Sequence, residues 1–181
     1  MSKEIELKYE LEDVNAYVER LYQLGVSLSS PVTQCDTIFF RAKKSFQDLR
    51  DGEPVIRIRQ ENSNTKTTIK KYISGVSERE EVECGIADAE AFKDYLALMD
   101  YFPVVTVNKT RQKGTFCGAT ITIDYVEGLG EYTEIEIVTH DESSPALEII
   151  KRVAENLGLD EKHIVSTPYD EMLFSKGDHN D

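Results

Sequence analysis

The sequence predicts an α+β fold: about eight strands in a mostly antiparallel sheet, with three main helices and a short one at the end. Three observations predict it. Apolar and charged residues alternate with period two in segment after segment. Strand-like segments follow one another directly, which a wound βαβ order would not give. Three other segments carry apolar residues at helical spacing behind an Asp or a Ser-Pro start.

Lys3–Glu10 sets Ile5, Leu7 and Tyr9 against Glu4, Glu6, Lys8 and Glu10, a strand. Asp13 caps a helix through Tyr17, Val18, Leu21 and Leu24, closed by Gly25. Residues 32–40 read as a second strand, and residues 43–53 as a polar loop ending near the Asp51-Gly52 turn signal. Residues 54–60 and 67–73 flank Asn62-Ser63-Asn64 as a hairpin, and residues 79–84 follow a Ser-Gly turn. Asp88 caps a helix bearing Ala91, Tyr95, Leu96 and Leu98. Residues 104–113, 119–126 and 132–139 alternate again. Ser144-Pro145 opens a helix through Leu147, Ile150, Val153, Ala154 and Leu157, with Gly158 past its end. Residues 169–174 form a short terminal helix, and residues 177–181 a frayed tail.

At 181 residues with no break in composition, residues 1–176 are expected to form one domain with a sizeable core. The chain carries 34 acidic and 21 basic residues, a net charge of −13. That balance excludes a protein built to coat nucleic acid or an anionic membrane, and at first sight a polyanionic substrate as well. No apolar run is long enough to cross a bilayer, and an N-terminus charged from its third residue is not the pattern of a secretory signal. Cys35, Cys84 and Cys117 are far apart and odd in number, with no CxxC pair, so neither a zinc site nor a disulfide framework is indicated. They fit a cytoplasmic protein in which each is a small buried hydrophobe. His140, His163 and His179 are dispersed and receive no chemistry.

The unusual feature is that the charged faces repeat. Glu4, Glu6 and Lys8 share one side of their strand; Arg57 and Arg59 another; Lys70 stands opposite Ile69; Glu81 and Glu83 oppose Val82 and Cys84. Lys109 and Arg111 pair at i,i+2, Asp124 opposes Ile123, and Glu134 and Glu136 oppose Ile135 and Ile137. Helices can cover the apolar faces. The charged faces then either form the outside of an open sheet or curl inward to line a lumen, for which eight strands suffice. In the second case carboxylates from several strands could hold one or two hard divalent ions, Mg²⁺ or Mn²⁺. The basic residues could bind phosphate oxygens, the arginines bidentately. An acid excess then no longer excludes a triphosphate, because part of it holds the cations.

The succession resembles a known family. Glu4-Ile5-Glu6-Leu7-Lys8 is an ExExK strand, followed in order by VIRIRQ, TIKKY, REEVE, VNKTRQ and ITIDYVEGLGEYTEIEI, with STPYDEML near the end. These blocks resemble those of the CYTH superfamily, the triphosphate tunnel metalloenzymes, over nearly the whole chain. The resemblance implies an eight-stranded antiparallel barrel, or tunnel, with a charged lumen that binds a triphosphate and a divalent metal. It implies metal binding by Glu4, Glu6, Asp124, Glu134 and Glu136, and phosphate binding by Lys8, Arg57, Arg59, Lys70, Lys109 and Arg111. Glu6, Glu134 and Lys8 are the candidate catalytic residues, and Glu81 and Glu83 lumen residues of open role. The activities implied are hydrolysis of inorganic, thiamine or nucleoside triphosphate, or class IV adenylyl cyclase chemistry. The GLGEYTEIE block looks like the cyclase-like branch, whereas the acidic Glu136 is a hydrolase-like trait. No macromolecular partner is expected beyond a second copy of the chain, as a monomer or a homodimer.

Overall fold

The computed structural model describes residues 3–41, 54–74, 78–139 and 143–177. Eight strands form one closed antiparallel barrel: β1 (Lys3–Glu10), β2 (Val32–Arg41), β3 (Val55–Glu61), β4 (Asn64–Ser74), β5 (Glu78–Gly85), β6 (Tyr101–Phe116), β7 (Ala119–Val126) and β8 (Gly130–Thr139). The order around the barrel is β1-β5-β4-β3-β2-β6-β7-β8. The β1–β8 ladder runs from Lys3↔Thr139 to Glu10↔Tyr132. The β1–β5 seam that closes the barrel is shorter, from Lys3↔Glu80 to Ile5↔Glu78.

Among the described residues four α-helices accompany it: α1 (Val14–Gln23), α2 (Ala89–Leu98), α3 (Ser143–Leu157) and α4 (Tyr169–Gly177). The expected caps form. Asp13 accepts from the Ala16 N–H and Asp88 from the Ala91 N–H, both at 3.0 Å. Gly25 and Gly158, just past α1 and α3, have φ of +79° and +76°, where a side chain would be strained.

Period two sends alternate side chains to opposite sides of the barrel wall. Outward-facing Ile5, Ile121 and Ile135 meet Leu21 of α1 and Ile150, Val153 and Leu157 of α3 in the main core. Phe39, Ile56 and Ile58 meet Leu96 of α2 on another side. Removing each buried isoleucine from water stabilises the fold by roughly 1.5–3 kcal/mol. The expectation that helices cover every apolar face fails at β4 and β5. There Ile69 and Val82, partners in the ladder, are 45% and 60% exposed.

The cysteines also depart from expectation. Cys84 and Cys117 are exposed and Cys35 is half-buried. Cys84 lies on the uncovered β5 face, and Cys117, with φ of +50°, in the tight β6–β7 turn. Strand β6 is longer than the pattern suggested, beginning before Pro103. A register shift between Ile38 and Phe39 of β2 lies beside the Phe39↔Pro103 pairing, where a residue lacking an N–H can be accommodated. The predicted 43–53 loop, the residues of the Ser-Gly turn after Ser74 and tail residues 178–181 lie outside the described residues.

One close approach anchors β6 to the segment after α1. A Cβ on Gly114 would lie 2.8 Å from Val26 Cγ1 and 3.1 Å from the Ser27 carbonyl oxygen. Gly114→Ala is therefore expected to cost about 1–3 kcal/mol, read as a lower urea midpoint at unchanged slope. An unchanged midpoint would show that the contact relaxes freely.

Candidate functional site

The inward faces line a cavity of about 220 Å³. Arg57 and Arg59 come from β3, Lys70 from β4, Glu81 and Glu83 from β5, Lys109 and Arg111 from β6, Glu134 and Glu136 from β8, and Glu4, Glu6 and Lys8 from β1. Of the residues singled out in the sequence, only Asp124 does not border the open space: it is fully buried behind Arg111. Lys71, on the other face of β4, is exposed.

Within this lumen the acids sort into groups. Glu4, Glu6 and Glu136 each offer a carboxylate oxygen, and the three oxygens lie within 4.8 Å of one another. Burial, and then the negative charges of Glu134 and Glu6, push the Glu136 carboxyl above its ordinary range despite Lys113 and Arg111. Three crowded carboxylates on adjacent strands form a set of hard oxygen donors, which fits Mg²⁺ or Mn²⁺. Glu81 is ion-paired with Lys70, and Glu83 with Lys66 at 2.8 Å.

Other acids hold arginines. Both Asp124 oxygens accept from Arg111, Nε at 2.6 Å and Nη2 closer still, and Asp124 also accepts from the Tyr169 hydroxyl at 3.1 Å. Arg111 Nη2 reaches Glu134 at 2.5 Å. Burial alone would depress the Arg111 guanidinium, but Glu134 and Asp124 outweigh it and hold it well above its usual value. Asp36 of β2 grips Arg59 in the same two-point way, at 2.7 Å to Nε and 2.7 Å to Nη2. Burial works to raise the Asp36 carboxyl; the Arg59 hydrogen bonds and the charges of Lys109, Arg59 and Arg57 prevail and bring it to about 2.

The remaining cations are held more loosely. Arg57 Nη2 donates to Thr68 Oγ1 at 3.0 Å, while its Nε is buried with no hydrogen-bond partner. Burial and then Arg59 lower its guanidinium from the ordinary value, against Asp36 and Glu81. Lys109 is buried, and burial followed by the charge of Arg111 brings its ammonium down to about 7, against Asp124 and Asp36.

The chain's end completes the site. The Val165 N–H donates to the Lys8 carbonyl at 2.8 Å, which ties the segment before α4 to β1. Lys8 Nζ donates to the Thr167 carbonyl at 2.5 Å and lies 4.2 Å from the centre of the Tyr169 ring. Tyr169 packs edge-on to Tyr132, beside Val107 and Val126. Pro168, Tyr169 and Asp170 thus form part of the cavity wall.

The sequence pattern alone did not single out Asp36, Lys113, Tyr169 or Asp170. Lys113 was legible, since it continues the i,i+2 series of Lys109 and Arg111. Asp36 left a weaker signal, one carboxylate inside a strand that reads as apolar. Nothing periodic announces Tyr169 or Asp170, which reach the lumen from a helix.

A closed barrel with a carboxylate cluster and a cationic wall facing one lumen defines the class of protein. The CYTH domain model matches residues 2–169, and the chain belongs to the CYTH family. It is 30% identical over 173 residues to MJ0240 of Methanocaldococcus jannaschii, provisionally named an adenylate cyclase, covering 93% of this chain and 97% of that one. The PH1819 protein of Pyrococcus horikoshii superposes with a TM-score of 0.81 at 27% identity, covering 96% of this chain and 99% of that one. HpAC1 of Hippeastrum, provisionally named an adenylyl cyclase and described as revealing a dominant triphosphatase activity, superposes with a TM-score of 0.66 at 17% identity, covering 98% of this chain and 96% of that one, a likeness of fold.

Proposed function

We propose that the protein is a divalent-metal-dependent enzyme that hydrolyses a triphosphate bound in the barrel lumen. The observation that carries this reading is the placement of Glu4, Glu6 and Glu136 in the same cavity as Arg57, Arg59, Lys109 and Arg111. A triphosphate carries roughly four negative charges near neutral pH and needs both a metal and a cationic wall. Glu4, Glu6 and Glu136 hold Mg²⁺ or Mn²⁺; Glu134 and Asp124, expected beside them, orient Arg111. When bound, the metal supplies charge neutralisation and lowers the pKa of bound water.

The chain's own residues do the rest. Arg57, Arg59, Lys70, Lys109 and Arg111 bind phosphate oxygens and stabilise charge on the transferring group. Lys8, fixed between the Thr167 carbonyl and the Tyr169 ring, presents its ammonium to the phosphate chain. In hydrolysis a water oxygen bonds to the terminal phosphorus and the bond to the bridging oxygen breaks.

The second reading is adenylyl cyclisation, in which the ribose 3′-oxygen attacks the α-phosphorus and pyrophosphate leaves. The name given to MJ0240 favours it. Two features favour hydrolysis: the acidic Glu136, and a lumen in which the one aromatic ring among the described lining residues, Tyr169, is already engaged by Lys8, Lys109 and Tyr132.

Purified protein incubated with Mg²⁺ or Mn²⁺ and ATP, thiamine triphosphate or inorganic triphosphate is expected to release orthophosphate. Cyclic AMP with pyrophosphate would establish the second reading. Tight metal-dependent binding without turnover would show a non-catalytic polyphosphate-binding module.

A further inference from the structure

We propose that Asp36 is a positioning residue that fixes Arg59 and Lys109 as a preformed receptor for substrate phosphate; this rests on the triphosphate reading above. Asp36 is 3% exposed and pairs with Arg59 across the β2–β3 ladder, so its side chain and that of Arg59 leave the wall side by side. Both its oxygens are used on the Arg59 guanidinium, and one lies 3.8 Å from Lys109 Nζ. It stands apart from the Glu4, Glu6 and Glu136 cluster, so a role in metal binding does not explain it.

The need for such a residue follows from the charges around it. Arg57, Arg59, Lys109 and Arg111 face one space, and like charges so placed push one another apart. An arginine gripped at both nitrogens by one carboxylate has a fixed plane, so its remaining N–H donors point one way before the ligand arrives. Ordering is then not charged against binding. Asp124 and Glu134 give Arg111 the same treatment from β7 and β8.

A plain electrostatic role makes the opposite forecast. Removing a negative charge from a phosphate site should strengthen anion binding. Asp36→Asn keeps the shape and removes the charge. Positioning predicts that its KM for inorganic triphosphate rises about tenfold or more, with kcat falling as well because Arg59 also meets the transferring group. Arg59→Lys should give a similar loss, and the double variant no more than either single change, since both break one pair.

A pH readout separates positioning from a general loss of structure. Lys109 is faced by Arg111 on its own strand, Asp36 on β2, Arg59 on β3, Asp124 on β7 and the Tyr169 ring of α4. Asp36 supports its protonated form. The pH above which KM rises should therefore move down in Asp36→Asn, and should stay unmoved if the residue only holds the barrel together.

The experiment measures calorimetric binding of inorganic triphosphate with Mg²⁺, steady-state KM and kcat from pH 6 to 9, and thermal melting, for wild type, both single variants and the double variant. If wild type neither binds nor turns over triphosphate, the underlying reading has failed and the proposal with it. If wild type binds and Asp36→Asn binds equally or more tightly, or if the two single losses add, the positioning role alone is overturned. Should Asp36→Asn not fold, Asp36→Glu keeps the charge and displaces the carboxylate: a wild-type KM in that variant overturns the role, and a tenfold rise at an unchanged melting temperature supports it.

Discussion

Glu6→Gln is expected to lower metal-dependent triphosphate turnover by about a thousandfold or more, with the melting temperature in metal-free buffer unchanged or raised. The two expectations follow from one geometry. Glu4, Glu6 and Glu136 come from β1 and β8, strands joined along eight ladder pairs, with Glu6 directly opposite Glu136. The helix caps among the described residues are made by Asp13, Asp88 and Asp160, and Gln keeps the shape of Glu, so the amide is expected to leave the barrel as it was. Without metal, three carboxylates at this spacing repel, and replacing one removes part of that repulsion. With metal, the same replacement removes a charged ligand from the donor set. Wild type should therefore gain melting temperature as Mg²⁺ or Mn²⁺ is added. Glu6→Gln and Glu136→Gln should lose most of that gain. Wild-type rates in either variant would overturn the assignment. Loss of rate with an undiminished metal-induced shift would move these residues from metal binding to substrate binding.

The barrel was legible because it is built from the strongest signal a sequence carries. In β1, β3, β7 and the middle of β8 inward charged or hydroxylated residues alternate with outward aliphatic ones, so the alternation by itself assigns Glu4, Arg57 and Glu134 to their face; β6, with Asn108 and Thr110 flanking Lys109, gives no such contrast. Closure was a different matter. A period of two cannot tell a lumen from a solvent face, and the β1–β5 seam joins residues far apart in the chain through a short ladder. The block order resolved what the period left open. What stayed hidden was the division of labour among the acids. Asp124 sits in the same alternation as Glu134, yet Arg111 occupies both its oxygens, and that depends on which strand lies next to β7. Asp36 was missed for the same reason: its meaning comes from Arg59 on the neighbouring strand and not from its own segment. Tyr169 reaches the lumen from a segment tied to β1 by the Val165–Lys8 hydrogen bond and the Tyr9↔Ile164 bridge, contacts that no pattern in its own residues announces.

Arg57→Ala is expected to reduce kcat/KM for triphosphate by about a hundredfold while leaving the protein as stable as wild type or more so. The neighbouring arginines are satisfied within the protein, Arg59 by Asp36 and Arg111 by Asp124 and Glu134. Arg57 bonds the Thr68 hydroxyl, and its buried Nε has no partner. A buried donor without an acceptor costs about 1–3 kcal/mol. Burial and then the charge of Arg59 lower the Arg57 guanidinium by more than Asp36 and Glu81 restore. That cost is met elsewhere in the fold, and it leaves the side chain as the member of the cationic wall with most to gain from a phosphate. Deleting it should trade function for stability, a pattern expected where a site is held ready for a ligand. Arg57→Lys should recover little of the activity, because an ammonium keeps the charge and loses the planar fork that meets two phosphate oxygens. The check is a pair of measurements on the same sample, steady-state kinetics and a metal-free thermal melt. A large fall in melting temperature with unchanged KM would make Arg57 a structural residue of the β3–β4 hairpin instead.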